Sequence, residues 1–414
     1  MSRPSHSDTC RVCGAALEVV FADLGMIPLC QSYVLPQNSH EGEMFYPLRA
    51  TACMDCHYVG LPEYVTSEEI FTEYAYFSST STSWLKYAKE SVDDLVAAFS
   101  LDGTSQVVEM ASNDGYLLQH FVARGIPALG VEPAANVARV ANEQGIPTLV
   151  EFFNTKTAAD LRSAGKCADL LLAYNCVDHV PDVNDIAAAM KLLLKPQGVI
   201  QIEAPHLAAM VEHGQFDTIY HDRYSYLSFL CLHEILRRRE LRVFDVEQIA
   251  THGGSLRVRA CHAEDTTHQS KPSVAALLAE EQSLGMTNAT YYEAFREKVR
   301  TAKFALIERL IELRRGGASI VGYGVPAKGN VLLNYCGIRT DLLDYLVDQS
   351  PYKCGKLAPG SRLEIRSVDD IRLTRPDYLL ILPWNIKEEI QEQMSFIRDW
   401  GGRFIVPIPR VEIL

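Results

Sequence analysis

Nowhere in these 414 residues does an apolar run reach the roughly 18 residues that a membrane-spanning helix needs. The N-terminal stretch MSRPSHSDTCRVCG also lacks the apolar segment of a secretory signal, so a cytoplasmic protein without a membrane partner is expected. A basic excess is missing as well: 39 Lys and Arg stand against 52 Asp and Glu, a formal charge of -13. That balance argues against a protein that tracks a nucleic-acid backbone. An anionic substrate would need lysines and arginines of its own in the pocket. Repeats and low-complexity tracts are absent. With 48% hydrophobic residues, and about 100–200 residues per domain, the chain has material for two or three cores.

Eleven cysteines in a large chain without a signal do not read as a disulfide framework. Four are organised, Cys10 and Cys13 in CRVC, Cys53 and Cys56 in CMDC. Two such knuckles, separated by a loop able to fold back, present four thiolates tetrahedrally, which suits Zn²⁺. Metal binding would help a small unit with little core to fold, and four protein ligands leave no open position for a substrate. The expected role is structural. Cys30 and His57 are nearby alternatives, and the remaining cysteines read as small buried hydrophobes.

After the second knuckle a polar, aromatic-rich stretch turns into an amphipathic helix from about Ser83. From Gln106 the pattern becomes strand–turn–helix: QVVEM, ASNDG, YLLQHFVARG, then PALGVEP and AANVARVANEQG. ADLLLAYNCV is a further strand, DIAAAMKLLLKPQG a helix with a glycine stop, and VIQIEAP another strand. This alternation predicts a parallel sheet covered by helices. Two long helical stretches follow, the second ending at Gly316–Gly317, and then a second α/β pattern of ASIVGYG, LLDYLVD, DYLLILPW and GGRFIVPIP.

The first turn lacks the G-x-G-x-x-G of a dinucleotide site and keeps only Gly115. Acids at Glu109 and Glu132 suit S-adenosylmethionine (SAM) better. Glu132 is placed for the ribose hydroxyls, and the turn amides of Asn113, Asp114 and Gly115 face the amino-acid end. Asn175, with Asp178 and His179 after it, is a candidate for the methionine side. Asp178 and His179 also fit a helix or turn cap.

Taken together, the paired CxxC, EYAYFSSTSTSW, VVEMASNDGYLL, VDHVPDVND, FDTIYHDRYSYLS, THGGSLRV, GYGVPAKGNVLLNYC and VDQSPYKCGKLAPG resemble the sugar C-methyltransferases acting on nucleotide-linked 4-keto-deoxysugars. The resemblance implies an α/β protein with an N-terminal zinc-binding domain (1–75), a central Rossmann-like SAM methyltransferase domain (76–265) and a helical connection leading to a C-terminal α/β domain that helps hold the nucleotide-sugar (266–414). It also implies an enolate, formed beside the ketone at C3, that attacks the SAM methyl. Such chemistry needs a base and donors for the enolate oxygen.

In relatives the phrase TIYHDRYSY usually carries Glu-His where this chain has Asp222 and Arg223, and that His is assigned as the base. A guanidinium stays protonated and does not serve as one. Three readings stand open. His221 takes the proton; or Tyr220 or Tyr76 does, with Arg223 holding the enolate; or the acceptor position or atom differs, as transfer to another carbon, oxygen or nitrogen. A histidine here also fits a hydrogen-bonded structural residue, and a non-catalytic binding homologue is the competitor from another class. Lys328 and Lys353 are candidate diphosphate contacts, with solvated lysines as the bland alternative.

Overall fold

The computed structural model describes residues 9–71 and 77–414; Tyr76 lies outside the described residues. The first unit is antiparallel: β1 (Val19–Pro28), β2 (Phe45–Ala52) and the short β3 (Val59–Gly60). Its fourth strand, Ser225–Tyr226, comes from far along the chain and pairs with β3, Val59 opposite Tyr226. The segment carrying Tyr220 to Arg223 is thereby tied to the zinc unit.

The central sheet holds β4 (Val107–Met110), β5 (Ala128–Val131), β6 (Thr148–Leu149), β7 (Ala168–Tyr174) and β8 (Leu194–Pro205). After β9 (Ser225–Tyr226) come β10 (Leu241–Ile249) and β11 (Ser255–His262), giving the order β10-β11-β8-β7-β4-β5-β6. The strands β4 to β8 pair in parallel, and β11 runs antiparallel to both its neighbours. From β4 the chain moves to one side, and it returns on the other as β7. Strand order reverses there, and ligands bind at the carboxyl ends beside such a point.

Two local expectations are corrected. The helix before β8 ends at Leu193, and Gly198 lies inside the strand rather than stopping the helix. A Cβ at Gly198 would stand 2.7 Å from the Ala168 carbonyl, so glycine serves close strand approach. After the first turn, regular helix covers only Gln119–Val122, because the preceding residues are used in turns. The Gly-Gly stop does hold: Gly316 caps the 27-residue helix Ala289–Arg315, and Gly317 takes φ +83°.

The C-terminal sheet has the order β14-β13-β12-β15-β16-β17. These are β12 (Ile320–Tyr323), β13 (Leu346–Asp348), β14 (Ile365–Ser367), β15 (Tyr378–Ile381), β16 (Arg403–Val406) and β17 (Glu412–Ile413), parallel except for the last pair. Its core is continuous with that of the zinc unit through helix Ala289–Arg315, where Phe295 stacks on Phe21 at 4.4 Å and 10°. A polar clasp reinforces this: Arg362 Nε meets Glu43 at 2.6 Å, and Glu43 also accepts the Gly360 amide at 3.0 Å. Among the described residues no helix is long and apolar enough to cross a membrane.

Phe295 is fully buried, so Phe295→Ala should cost about 3–5 kcal/mol of stability. Denaturant unfolding checks this. A loss below about 1 kcal/mol, well under that range, would mean that the stack does not couple the two units.

Candidate active site

The two knuckles converge. Cys10, Cys13, Cys53 and Cys56 place their sulfurs within 4.8 Å of one another, with Cys10–Cys56 and Cys13–Cys53 each at 3.5 Å. A tetrahedral Zn²⁺ with bonds of about 2.3 Å implies sulfur–sulfur edges of about 3.8 Å. The donor set fits that ion. Gly14 at φ +80° closes the first knuckle, and Asn184 Nδ2 donates to the Arg11 carbonyl at 2.8 Å, docking the site on the central domain. Cys30 and His57 stand outside the cluster.

At the switch point the turn after β4 is built from left-handed residues, with Ala111, Asn113 and Gly115 at φ 51°, 51° and 80°. A side chain on Gly115 would meet Ile146 Cδ1 at 2.5 Å, which explains why this glycine persists. Glu132, at the end of β5, accepts the Asn113 amide at 3.0 Å and the Ala134 amide at 2.9 Å. The glutamate thus shapes the turn as well as facing it. Asn113 Oδ1 and Asp114 Oδ2 in turn accept the amides of Ser78 and Ser79 at 2.8 and 3.1 Å, drawing the segment before helix Thr82–Phe99 across the edge.

Among the described residues, several buried polar atoms here have no hydrogen-bond partner: Glu109 Oε2, Asp114 Oδ1, Asn175 Oδ1 and both oxygens of Asp178. Burial, then the charges of Glu132 and Asp114, pushes the Glu109 carboxyl well above its usual pKa. Burial raises Glu132 too, against its two amide donors. A crowd of buried carboxyl groups repels a pyrophosphate and suits a ligand bearing an ammonium and a sulfonium. The residues therefore fit SAM. The sequence picks out Glu109, Asn113, Asp114, Gly115, Glu132 and Asn175, and the fold gathers them on one sheet edge.

The loop from Tyr220 to Arg223 sends its side chains in two directions. His221 is buried between Tyr46 and Tyr64 of the zinc unit, its Nε2 3.2 Å from the Pro47 carbonyl and its Nδ1 without a hydrogen-bond partner among the described residues. Burial holds its pKa below the ordinary value. Arg223 instead points to the central domain, its Nε 2.8 Å from Asp178 Oδ2 and its guanidinium 5.0 Å above the Tyr220 ring. The contact with Asp178 is an ion pair without hydrogen-bond alignment, so both groups keep unused capacity. Burial raises the Tyr220 phenol above its ordinary pKa, and the nearby Arg223 opposes this. His179 Nδ1 donates to the Asp222 carbonyl at 2.6 Å, which joins the cofactor edge to the loop.

Lys328 opens the helix after β12 and donates to Asn385 Oδ1 at 2.8 Å while lying 4.7 Å above the Trp384 ring. Burial brings its pKa down to about 8, opposed by Asp217. Trp384 Nε1 donates to Asp217 at 2.7 Å, and Gly253 at φ +89° leaves room for both Trp384 and Gln215. Lys353 sits apart from this group, bound to Asp348 at 2.9 Å. Asp217 lies in the quoted FDTIYHDRYSYLS and Trp384 ends DYLLILPW, but neither these two nor Asn385 is singled out by the sequence reading. Only tertiary contact with Lys328 marks them.

The chain matches three family models: a zinc binding domain over residues 10–71, a methyltransferase domain over 84–246 and a C-methyltransferase C-terminal domain over 250–409. It is 33% identical over 407 residues to the C-methyltransferase NovU of Streptomyces niveus, covering 98% of this chain and 97% of that one. It is 28% identical over 126 residues to a ubiquinone biosynthesis O-methyltransferase of Bartonella bacilliformis, covering 28% of this chain and 50% of that one. Among solved structures, the magnesium protoporphyrin IX methyltransferase of Synechocystis PCC 6803 with bound SAM shares 13% identity over 42% of this chain and 79% of that one. Its TM-score of 0.32 is too low to bear on the chemistry.

Elemental analysis should find about one zinc per chain, with chelation lowering Tm. Full stability without metal would contradict the thiolate site. Glu132→Ala should weaken SAM binding by about 1.5–3 kcal/mol, the range for hydrogen bonds to a charged group. Calorimetry showing wild-type affinity would remove Glu132 from the cofactor site.

Proposed function

Because this chain belongs to the sugar C-methyltransferase family, and is with it a SAM-dependent methyltransferase, we propose that it methylates a ring carbon beside the ketone of a nucleotide-linked 4-keto-deoxysugar in branched-deoxysugar biosynthesis, with C3 as the position. The working division is a zinc-binding domain over 1–75, a methyltransferase domain over 76–265 and a connection with a C-terminal substrate domain over 266–414, in a protein of the cytoplasm.

SAM, when bound, supplies an electrophilic methyl group on a sulfonium and departs as a neutral thioether. The remaining work belongs to side chains. A carbon beside a ketone becomes nucleophilic only as its enolate, so the site needs a base and a fixed positive charge at the developing oxyanion. Arg223 is that charge in this reading. It stays protonated, it is held by Asp178 and Tyr220, and it has donors to spare. The carrying observation is this buried pair at the meeting of the loop with the carboxyl ends of β7 and β8. In the C-terminal domain, Lys328 and Lys353 stand beyond β12 and β13 as contacts for the diphosphate.

Incubation with labelled SAM should release S-adenosylhomocysteine with a 4-keto sugar nucleotide and none with the matching 4-hydroxy compound. Arg223→Gln should reduce that turnover by about 10²–10³-fold, the loss typical for one oxyanion donor. Equal turnover of keto and hydroxy compounds would point to oxygen transfer and sink the carbon reading.

A further inference from the structure

The proposed reaction needs a proton acceptor, and the imidazoles nearest the loop differ in what holds them. His221 faces the zinc unit, and among the described residues its Nδ1 has no hydrogen-bond partner. His179 donates through Nδ1 to the Asp222 carbonyl, and its Nε2 lies 3.8 Å from Asp178 Oδ2, with no buried carboxylate among the described residues bonded behind the ring. His252 stands at φ 55°, with its ring edge-on to Trp84 at 5.2 Å. A further histidine, His206, directly follows β8 at the carboxyl edge and is 3% exposed.

Its partner comes from the helical connection. Glu281, on helix Pro272–Ser283, is fully buried and meets His206 Nε2 at 2.7 Å. The same carboxylate accepts the amides of Phe229 and Leu230, each at 2.7 Å, at the start of helix Phe229–Arg238. A carboxylate offers only lone pairs. Nε2 must therefore carry the hydrogen, and Nδ1 keeps its own lone pair in the neutral ring. Among the described residues the ring is held through Nε2 alone, and it lines a small cavity together with Asp178, Arg223, Tyr226 and His252. The cavity measures about 20 Å³, room for a water, and has the guanidinium of Arg223 on its wall.

We propose that His206 is the general base of this enzyme, with Glu281 as the residue that positions it. The step rests on the carbon-acid reading above. Nδ1 takes the proton from the carbon beside the ketone. The C–H electron pair becomes the C=C bond of the enolate, and the carbonyl π pair moves to oxygen, beside Arg223. In this way a base from the end of β8 supplies the function for which the loop, having Arg223 in place of a histidine, lacks a group.

The test separates proton removal from methyl transfer. In D₂O without SAM, the wild type should exchange the α-hydrogen of a 4-keto sugar nucleotide, read by NMR. His206→Asn should slow exchange by about 10²–10⁴-fold, the usual worth of a positioned base, while SAM affinity stays near wild type. Exchange by His206→Ala should recover on adding imidazole, an effect that loss of a structural pin alone would not produce. Wild-type exchange by His206→Asn, or a folded His206→Ala that imidazole does not revive, overturns the assignment. Loss of SAM binding in both variants makes His206 a folding residue and overturns it as well. A wild type that exchanges no 4-keto sugar nucleotide refutes the carbon-acid reading itself, which is a distinguishable outcome.

Discussion

A buried polar atom without a partner costs about 1–3 kcal/mol, and this chain sets a group of them along the carboxyl edge of one parallel sheet. Among the described residues, Glu109, Asp114 and Asn175 each leave an oxygen atom without a hydrogen bond there, and Asp178 has only its ion pair with Arg223. The rest of the molecule makes that arrangement tolerable. Left-handed residues after β4 aim the turn, Glu132 holds its amides, and the segment around Ser78 and Ser79 covers it. Buried carboxyl groups arranged in this way suit a cationic ligand.

The same constraint explains the zinc unit and the helical connection. Each is tied to the segments that follow the carboxyl end of β8. β9 pairs with β3 of the zinc unit, which fixes the loop from Tyr220 to Arg223 from behind. Glu281 reaches from the connection to cap a helix and to hold His206. Breaking one member of a buried ion pair costs about 3–5 kcal/mol, so Asp178 and Arg223 also lock the loop to the central domain.

Features written in local spacing were legible before the structure. The CxxC pairs, the alternation of apolar strands with helices, and the acids ending β4 and β5 all follow from residues close in sequence. Features made by distant residues were not. Arg223 reads as a lone departure until Asp178, forty-five positions earlier, stands beside it. His206 reads as one histidine after a strand, and only the fold brings Glu281 to it from seventy-five positions away. Trp384 and Asp217 lie still further apart in sequence. Gly198 misled for the opposite reason: glycine after a helical run is a common stop, but here it answers to the Ala168 carbonyl on the next strand.

The central claim is that the new bond joins carbon to carbon at a site that stabilises an enolate. Its most direct test uses SAM labelled with ¹³C in the methyl group and a 4-keto sugar nucleotide labelled with ¹³C in the ring. The product should carry a one-bond ¹³C–¹³C coupling between the methyl and a ring carbon adjacent to the carbonyl. A labelled methyl without that coupling, at the chemical shift of a methyl ether or an N-methyl group, would contradict the account.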